Sequence, residues 1–290
     1  MKFASRFSRA FGILLIGLAA VGQEAVFRTD TRLVEVYATV KDHRGKYLSG
    51  LTADQFEIRD EGALQPVVAF EADTSPLSCA LLLDTTGSMQ AALPVVKNAV
   101  AAFAEALRPD DAVAVYSFST SLNLLQDFTR DRASIRRAVL RTRASGQTAL
   151  FDAIAQLGHD ISSRHGKKVI VVFTDGDDNA SVLRAASAIT RAKKSGIPVY
   201  TVAEGDALKN HELLSQLRTI ALGAGGQFYE AKKNGDIATI FQDILENLQH
   251  TYLLAYKPPA AESGNWRTIR LALKGVKDYR CNAKEGYYPD

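Results

Sequence analysis

The sequence predicts an α/β fold: a doubly wound, mostly parallel six-stranded sheet with helices on both faces, joined to a small β-sandwich formed by the N- and C-terminal flanks. Three observations carry this. Between residue 77 and about residue 250, short apolar runs alternate with segments of helical period, the pattern of repeated βαβ units. The run CALLL, residues 79–83, is apolar without a break, as a strand covered on both faces is. Outside those limits the pattern changes to period two, as in strands with one buried face.

The chain opens on a different signal. Lys2, Arg6 and Arg9 precede an apolar run from Phe11 to Val21 that ends in small residues. This is the outline of a secretory signal peptide over residues 1–22. The run falls short of the roughly twenty apolar residues a spanning helix needs, and no cysteine follows it that could carry a lipid. Secreted or periplasmic placement, with no membrane insertion after cleavage, is the expectation. Those three basic residues equal the whole formal charge of +3, so the remainder is balanced. The densest basic stretch, RASIRRAVLRTR, reads as a solvated helix face, and no basic stripe with interleaved aromatics argues for nucleic acid.

The elements follow in order. Val34, Val36, Ala38 and Val40 alternate with polar or aromatic residues as the first strand, DHRGK is a turn, and QFEIRD and QPVVAFEA read as further strands. Residues 23–76 thus form an N-terminal β region. After CALLL come helix ALPVVKNAVAAFAEALR, with Pro94 tolerable only in its first turn, strands DAVAVYSFS and NLLQDF, and helices ASIRRAVLRTR and ALFDAIAQLGHDISSR. Then follow strand KVIVVFTD, helix VLRAASAITRAKKSG stopped at Gly196, strand PVYTVAEG, helix HELLSQLRTIALGAG, strand GQFYEA and helix DIATIFQDILENLQH. These fill residues 77–250. Residues 251–290 are strand-like again in YLLAYK, WRTIRLALK and YRCNAKEGYY. Neither flank has strands enough to bury a core alone, so the two are expected to pack together. The two cysteines, Cys79 and Cys281, are compatible with one bridge in an oxidising compartment, or with Cys79 as a small core residue.

The chemistry collects at strand ends. In a doubly wound sheet, ligands bind outside the carboxyl ends of the strands, where strand order reverses. The two most apolar strands are the expected central pair, and they end in Asp84 and Asp175. Thr86 and Ser88 follow Asp84 in a turn that Gly87 lets approach closely. Carboxylates and neutral hydroxyls on one rim suit a hard divalent cation with oxygen ligands, Mg²⁺ first, with Mn²⁺ and Ca²⁺ left open.

These residues resemble the von Willebrand factor A domains, whose metal-ion-dependent adhesion site reads Asp-x-Ser/Thr-x-Ser, then a distant Thr, then a distant Asp. Asp84, Thr86 and Ser88 fill the first element, Thr148 in SGQTALFDAI the second, and Asp175 in VVFTDGDDN the third. Thr86 stands where serine is commoner and keeps the hydroxyl. The flanks, in GLTADQFEIRDEGALQPVVAF and WRTIRLALK, resemble secreted von Willebrand factor A-related proteins of acidobacteria. The resemblance implies that Thr86 and Ser88 bind the metal directly, that Asp84 and Asp175 hold it directly or through water, and that Thr148 completes the set. A partner protein would supply an Asp or Glu carboxylate as the last ligand. A protein-binding or adhesion module, not an enzyme, is then the expected function, with a structural component of an envelope complex as the alternative.

Other readings fare worse. Helix capping would explain Asp84 or Asp175 singly but neither the hydroxyls nor Thr148. DGDDN opens like a calcium-binding loop, but Ala180 and Ala186 stand where its glycine and bidentate glutamate are needed. Asp177 and Asp178 read as solvated loop acids, and Asn179 begins a glycosylation triplet with Ser181. His159 and His165 read as helix-surface residues. The nucleophile elbow, the phosphate loop and H-E-x-x-H are absent, leaving a metal-dependent phosphoesterase with Asp84 as nucleophile as the enzymatic alternative.

Overall fold

The computed structural model describes residues 33–233, 236–260 and 264–289, and the expected leader, residues 1–22, lies outside them. The chain begins with β1 (Val34–Asp42), β2 (Phe56–Asp60), β3 (Ala63–Gln65), β4 (Val67–Glu71) and β5 (Leu77–Asp84). It continues through α1 (Leu93–Ala106), β6 (Ala112–Phe118), β7 (Leu122–Thr129), α2 (Arg132–Arg141), α3 (Leu150–Asp160), β8 (Lys167–Thr174) and α4 (Ala185–Ser195). Then come β9 (Val199–Glu204), α5 (His211–Gly223), β10 (Phe228–Ala231), α6 (Asp236–Gln249), β11 (Tyr252–Tyr256), β12 (Arg267–Leu273), β13 (Tyr279–Ala283) and β14 (Gly286–Tyr287).

Six strands form the central sheet in the order β10-β9-β8-β5-β6-β7, parallel throughout except for β7 at one edge. The expected central pair, β5 and β8, is the middle of the sheet. All eight residues of each are buried, because helices cover both faces. Cys79, Leu81 and Leu83 pack with α1, α2 and α6, whereas Ala80 and Leu82 pack with α3, α4 and α5. Phe241 of α6 lies 4.7 Å from Phe173 of β8 and 5.0 Å from Phe103 of α1, between ring centroids. Each fully buried leucine in such a core contributes about 1.5–3 kcal/mol.

Local signals end the helices as expected at Pro94, in the first turn of α1, and at Gly196, which caps α4 with φ of 68°. Two helix boundaries differ by more than two residues from the sequence reading. Helix α4 starts at Ala185 rather than at residue 182, because the Asp152 carboxylate accepts from the amides of Val182 and Leu183 at 2.8 and 2.9 Å and holds them out of the helix. Helix α3 ends at Asp160. The Ser162 hydroxyl donates to the His159 carbonyl at 2.7 Å as the chain turns. His159 is therefore on an exposed last turn, but His165 lies in the turn beyond the helix.

The flanks interleave in two four-stranded sheets, β13-β1-β11-β4 and β14-β12-β2-β3, each mixing strands from both ends of the chain. Strand β1 pairs antiparallel with both β11 and β13, and β2 pairs with β12. Their shared core contains Val36, Val40, Phe56, Ile58, Tyr252, Leu254, Tyr256 and Ile269. At the crossovers to the central sheet, the buried Lys167 ammonium donates to the carbonyls of Ala72, Asp73 and Thr251 at 2.9–3.2 Å. Arg108 donates to the carbonyls of Asp73 and Gln249, both at 2.7 Å. Both connecting segments are thus fastened to the same end of the α/β layer, opposite the carboxyl ends of β5 and β8.

The bridge considered between the two cysteines is absent: both thiols are free. Cys79 is sealed in the core between the central sheet and α1, whereas Cys281 of β13 packs on the sandwich core. Burial pushes the thiol pKa of both upward, that of Cys281 to about 11.

Deleting residues 258–290 removes β12, β13 and β14. The outer partner of β1 and the main partner of β2 go with them, so the truncated chain is expected to be cut by trypsin within residues 33–75 under conditions where the parent is not. Unchanged protection would contradict this account of the flanks.

Candidate metal centre

The five residues singled out in the sequence meet at one pole of the central sheet. Asp84 is the last residue of β5, and Asp175 directly follows β8, the strand hydrogen-bonded to it. Chain order changes direction here, since β6 extends the sheet on one side of β5 and β8 on the other. Asp84 is fully buried. Its Oδ1 accepts from the Thr86 amide at 2.9 Å and the Thr86 hydroxyl at 2.6 Å, and its Oδ2 accepts from the Thr174 hydroxyl at 2.7 Å. Thr86 Oγ1 lies 3.0 Å from Ser88 Oγ, which in turn donates to Asp175 Oδ1 at 2.8 Å. A continuous chain of polar contacts therefore runs Asp84, Thr86, Ser88, Asp175.

Thr148 arrives from the loop before α3. Gly176 marks where it sits: a methyl-sized group on that glycine would be 3.4 Å from Ser88 Oγ and 3.7 Å from Thr148 Oγ1. The two hydroxyls thus flank one small space that a side chain would occupy. The Thr148 loop is fixed from two sides. Asn179 Oδ1 accepts from the Thr148 amide at 2.9 Å, while the Thr148 carbonyl accepts from the amides of Asn179 and Ala180. On the other side, Ser145 N donates to Thr85 O at 2.7 Å and Gly87 N to Gly146 O at 3.2 Å. Asp178, assigned from sequence to solvent, is instead half-buried and accepts from the Phe151 amide and from Ser181. Asp177 is exposed and accepts from Asn210.

Burial is uneven. Asp84, Thr86, Thr148 and Asp175 are buried, whereas Ser88 is exposed and marks the mouth of the site. Burial raises the Asp84 pKa to about 6 against the hydrogen bonds from Thr86 and Thr174, and it raises that of Asp175 as well. A third acid stands close by and was missed in the sequence. Glu204 ends β9, is 5% exposed, and its pKa is pushed to about 7, by burial first and then by the charges of Asp175 and Asp84. Among the described residues no Lys, Arg or His forms an ion pair with any of these three acids. Carboxylates gathered without a cation, beside hydroxyls that offer lone pairs without adding charge, fit a hard divalent ion. Among the described residues no three His, Cys, Asp or Glu side chains converge as a metal cluster. The donor set is two carboxylates and three hydroxyls.

Three supporting residues escaped the sequence reading. Thr174 could have been found from strand alternation, since it faces the opposite side from Phe173, toward Asp84. Glu204 obeys the strand-end rule that located Asp84 and Asp175, applied to one further strand. Asn179 had no local signal, because its partner is 31 residues away.

The von Willebrand factor type A domain family matches residues 79–243. No curated protein matches the chain. Among solved structures, the von Willebrand factor type A protein from Catenulispora acidiphila is similar at a TM-score of 0.55 and 15% identity, over 90% of this chain and 74% of that one. Proximal thread matrix protein 1 from the mussel byssus is similar at 0.52 and 19% identity, over 66% and 51%. The vWF domain of the type V pili tip protein Mfa5 from Porphyromonas gingivalis follows at 0.51 and 12%, over 60% and 95%. At such identities the likeness is one of fold. The family match takes in more than half the chain and contains Asp84, Thr86, Ser88, Thr148 and Asp175, so this protein belongs to the von Willebrand factor type A domain family.

Proposed function

We propose that the chain is a secreted or periplasmic protein-binding module, and that the pole bearing Asp84, Thr86, Ser88, Thr148 and Asp175 holds a divalent cation, Mg²⁺ in preference, to which a partner protein presents an Asp or Glu carboxylate. One observation carries the reading: two carboxylates and three hydroxyls from three separate segments converge without a cation to balance them. The apolar run within residues 11–21 supports export, and among the described residues no helix is long and apolar enough to cross a membrane.

Bound there, a divalent cation supplies an electrophilic seat for an anionic group. The protein's own residues do the rest. Asp84, held from both oxygens, is the fixed member. Thr86 and Ser88 donate their protons inward to Asp84 and Asp175, which leaves hydroxyl lone pairs free to face outward. Exposed Ser88 keeps the mouth open to a ligand from another molecule. Asp175 and Thr148 ride on the two loops joined through Asn179, so a pull on one is transmitted to the other.

The test uses the full chain, metal-stripped and then titrated with Mg²⁺, Mn²⁺ and Ca²⁺ during thermal unfolding. A cation at a hundred times its dissociation constant stabilises the folded state by about 2.7 kcal/mol. Ser88→Ala is expected to weaken that response and to lose Mg²⁺-dependent capture of an immobilised Asp-bearing peptide while remaining folded. Chelation should likewise leave a binding module folded. Unfolding on chelation would favour a purely structural site, and metal-dependent turnover of a phosphate ester would favour the enzymatic alternative. A Ser88→Ala protein that responds as the parent does would defeat the reading.

A further inference from the structure

Among the described residues Glu204 is a buried acid that makes no ion pair and no hydrogen bond through Oε1. Its Oε1 is shielded from solvent and accepts no hydrogen bond. Buried polar atoms are nearly always satisfied, and an ionised carboxylate without a partner is among the least stable groups a core can hold. That oxygen is open to a hydrogen-bond donor from outside the chain.

The backbone shows where the side chain sits. Tyr200 and Val202, which share its face of β9, belong to the core under α6 that also holds Leu83 and Phe173. Glu204 is the next residue on that face, at the carboxyl end, and β9 is hydrogen-bonded to β8, whose end carries Asp175. The chain then turns against Asp175. Gly205 adopts φ of +56°, a side chain on it would come within 3.3 Å of Asp175 Cβ, and the Ala207 amide donates to the Asp175 carbonyl at 2.7 Å. The charges of Asp175 and Asp84 both act on Glu204.

Resting on the metal-binding reading above, we propose that Glu204 is a sixth functional residue of the site, a positioning carboxylate that accepts hydrogen bonds from cation-held water and supplies the third negative charge that retains a divalent ion when no partner is bound. The proposal places it outside the ligand set, since among the described residues no three His, Cys, Asp or Glu side chains group closely enough to hold one ion. Outer carboxylates of this kind orient what the ligands hold and raise affinity, and their loss typically lowers it 10–100-fold. A third charge also favours a divalent over a monovalent ion, since attraction scales with the product of the charges.

The experiment is Mn²⁺ titration of the full chain by calorimetry, with thermal unfolding of each metal-stripped protein alongside. Parent, Glu204→Gln and Asp206→Asn are compared, the last removing an exposed acid two residues away. The expected result is a Kd for Mn²⁺ raised 10–100-fold in Glu204→Gln and changed less than about threefold in Asp206→Asn. The metal-stripped Glu204→Gln protein should melt at or above the parent's Tm, because an unpaired charge has been removed. An unchanged Kd overturns the proposal, as does an equal loss in Asp206→Asn, which would reveal only a diffuse charge effect. A metal-stripped Glu204→Gln protein melting far below the parent would make the residue purely structural and overturn it too. Failure of the parent to bind Mn²⁺ would instead defeat the metal reading itself.

Discussion

Asp84→Asn is expected to abolish the response to Mg²⁺, with affinity lowered at least about 100-fold, equivalent to about 2.7 kcal/mol. Two effects combine. The substitution removes one of only two carboxylates in the proposed ligand set, and it does so at the member fixed most firmly, by Thr86 and Thr174. The asparagine side chain still offers an oxygen to Thr86 and an amide to the Thr174 hydroxyl, so the fold is expected to survive, whereas alanine would strand all three donors. The metal-stripped proteins should also differ with pH. The folded pKa of Asp84 is raised to about 6 from its ordinary value of 3.8. Between those values the folded state holds a proton that the unfolded state has lost, so the parent loses stability as pH rises through 6. For Asp84 alone the loss is about 2–3 kcal/mol. Glu204 adds to it up to about pH 7. Asp84→Asn should therefore lack the fall between about pH 4 and 6 while keeping the part due to Glu204, read by urea unfolding in the presence of a chelator. An Asp84→Asn protein that keeps its Mg²⁺ response would remove Asp84 from the site.

The parts of this molecule legible in the sequence are those governed by local periodicity or by position at a strand end. CALLL and KVIVVF read as doubly covered strands because every residue in β5 and β8 is buried. Their parallel pairing then carried Asp84 and Asp175 to the same rim. The Thr148 position came from the motif, since nothing near it in sequence says that Asn179 will hold its amide. What escaped was set by long-range polar contacts. Asp152 delays α4 by capturing two amides about thirty residues away, against a helical pattern that runs unbroken from Val182. Glu204 was read as part of strand PVYTVAEG and given no role, and only the packing of β9 beside β8 shows its carboxylate to be buried. Of the two readings left open for the cysteines, the one with Cys79 as a small core residue holds, and the bridge is set aside for a related reason. Compartment and number permit a bridge, but assignment of each thiol to a different core decides against it.

Asp60→Ala is expected to be the most damaging single change in the flanking sandwich, lowering stability by about 3–5 kcal/mol, the loss typical of breaking a buried ion pair on one side. Asp60, at the end of β2, is fully buried. Its Oδ1 accepts from Arg267 Nε at 2.8 Å and Nη2 at 2.7 Å, and its Oδ2 accepts from the hydroxyls of Tyr256 at 3.0 Å and Tyr287 at 2.9 Å. These partners come from β11, β12 and β14, so one N-terminal carboxylate fastens three C-terminal strands across both sheets. The two tyrosine rings meet edge to face at 6.4 Å, which fixes the direction of both hydroxyls. Alanine would leave two buried phenols and the partly exposed Arg267 guanidinium without their acceptor, and it is this stranding, rather than the intrinsic worth of the pair, that makes the loss large. Pairing Asp60→Leu with Arg267→Met should therefore recover part of what Asp60→Ala loses, because the unpaired charge goes with its partner. Chemical denaturation of the three proteins gives the comparison, and limited proteolysis locates it. Cleavage should appear first within residues 33–75 and 252–289, while the Mg²⁺ response of the α/β layer persists if its site depends on β5, β8 and the Thr148 loop alone. Loss of that response in Asp60→Ala would show instead that the Lys167 and Arg108 contacts at the crossovers carry strain from the sandwich to the opposite pole of the sheet.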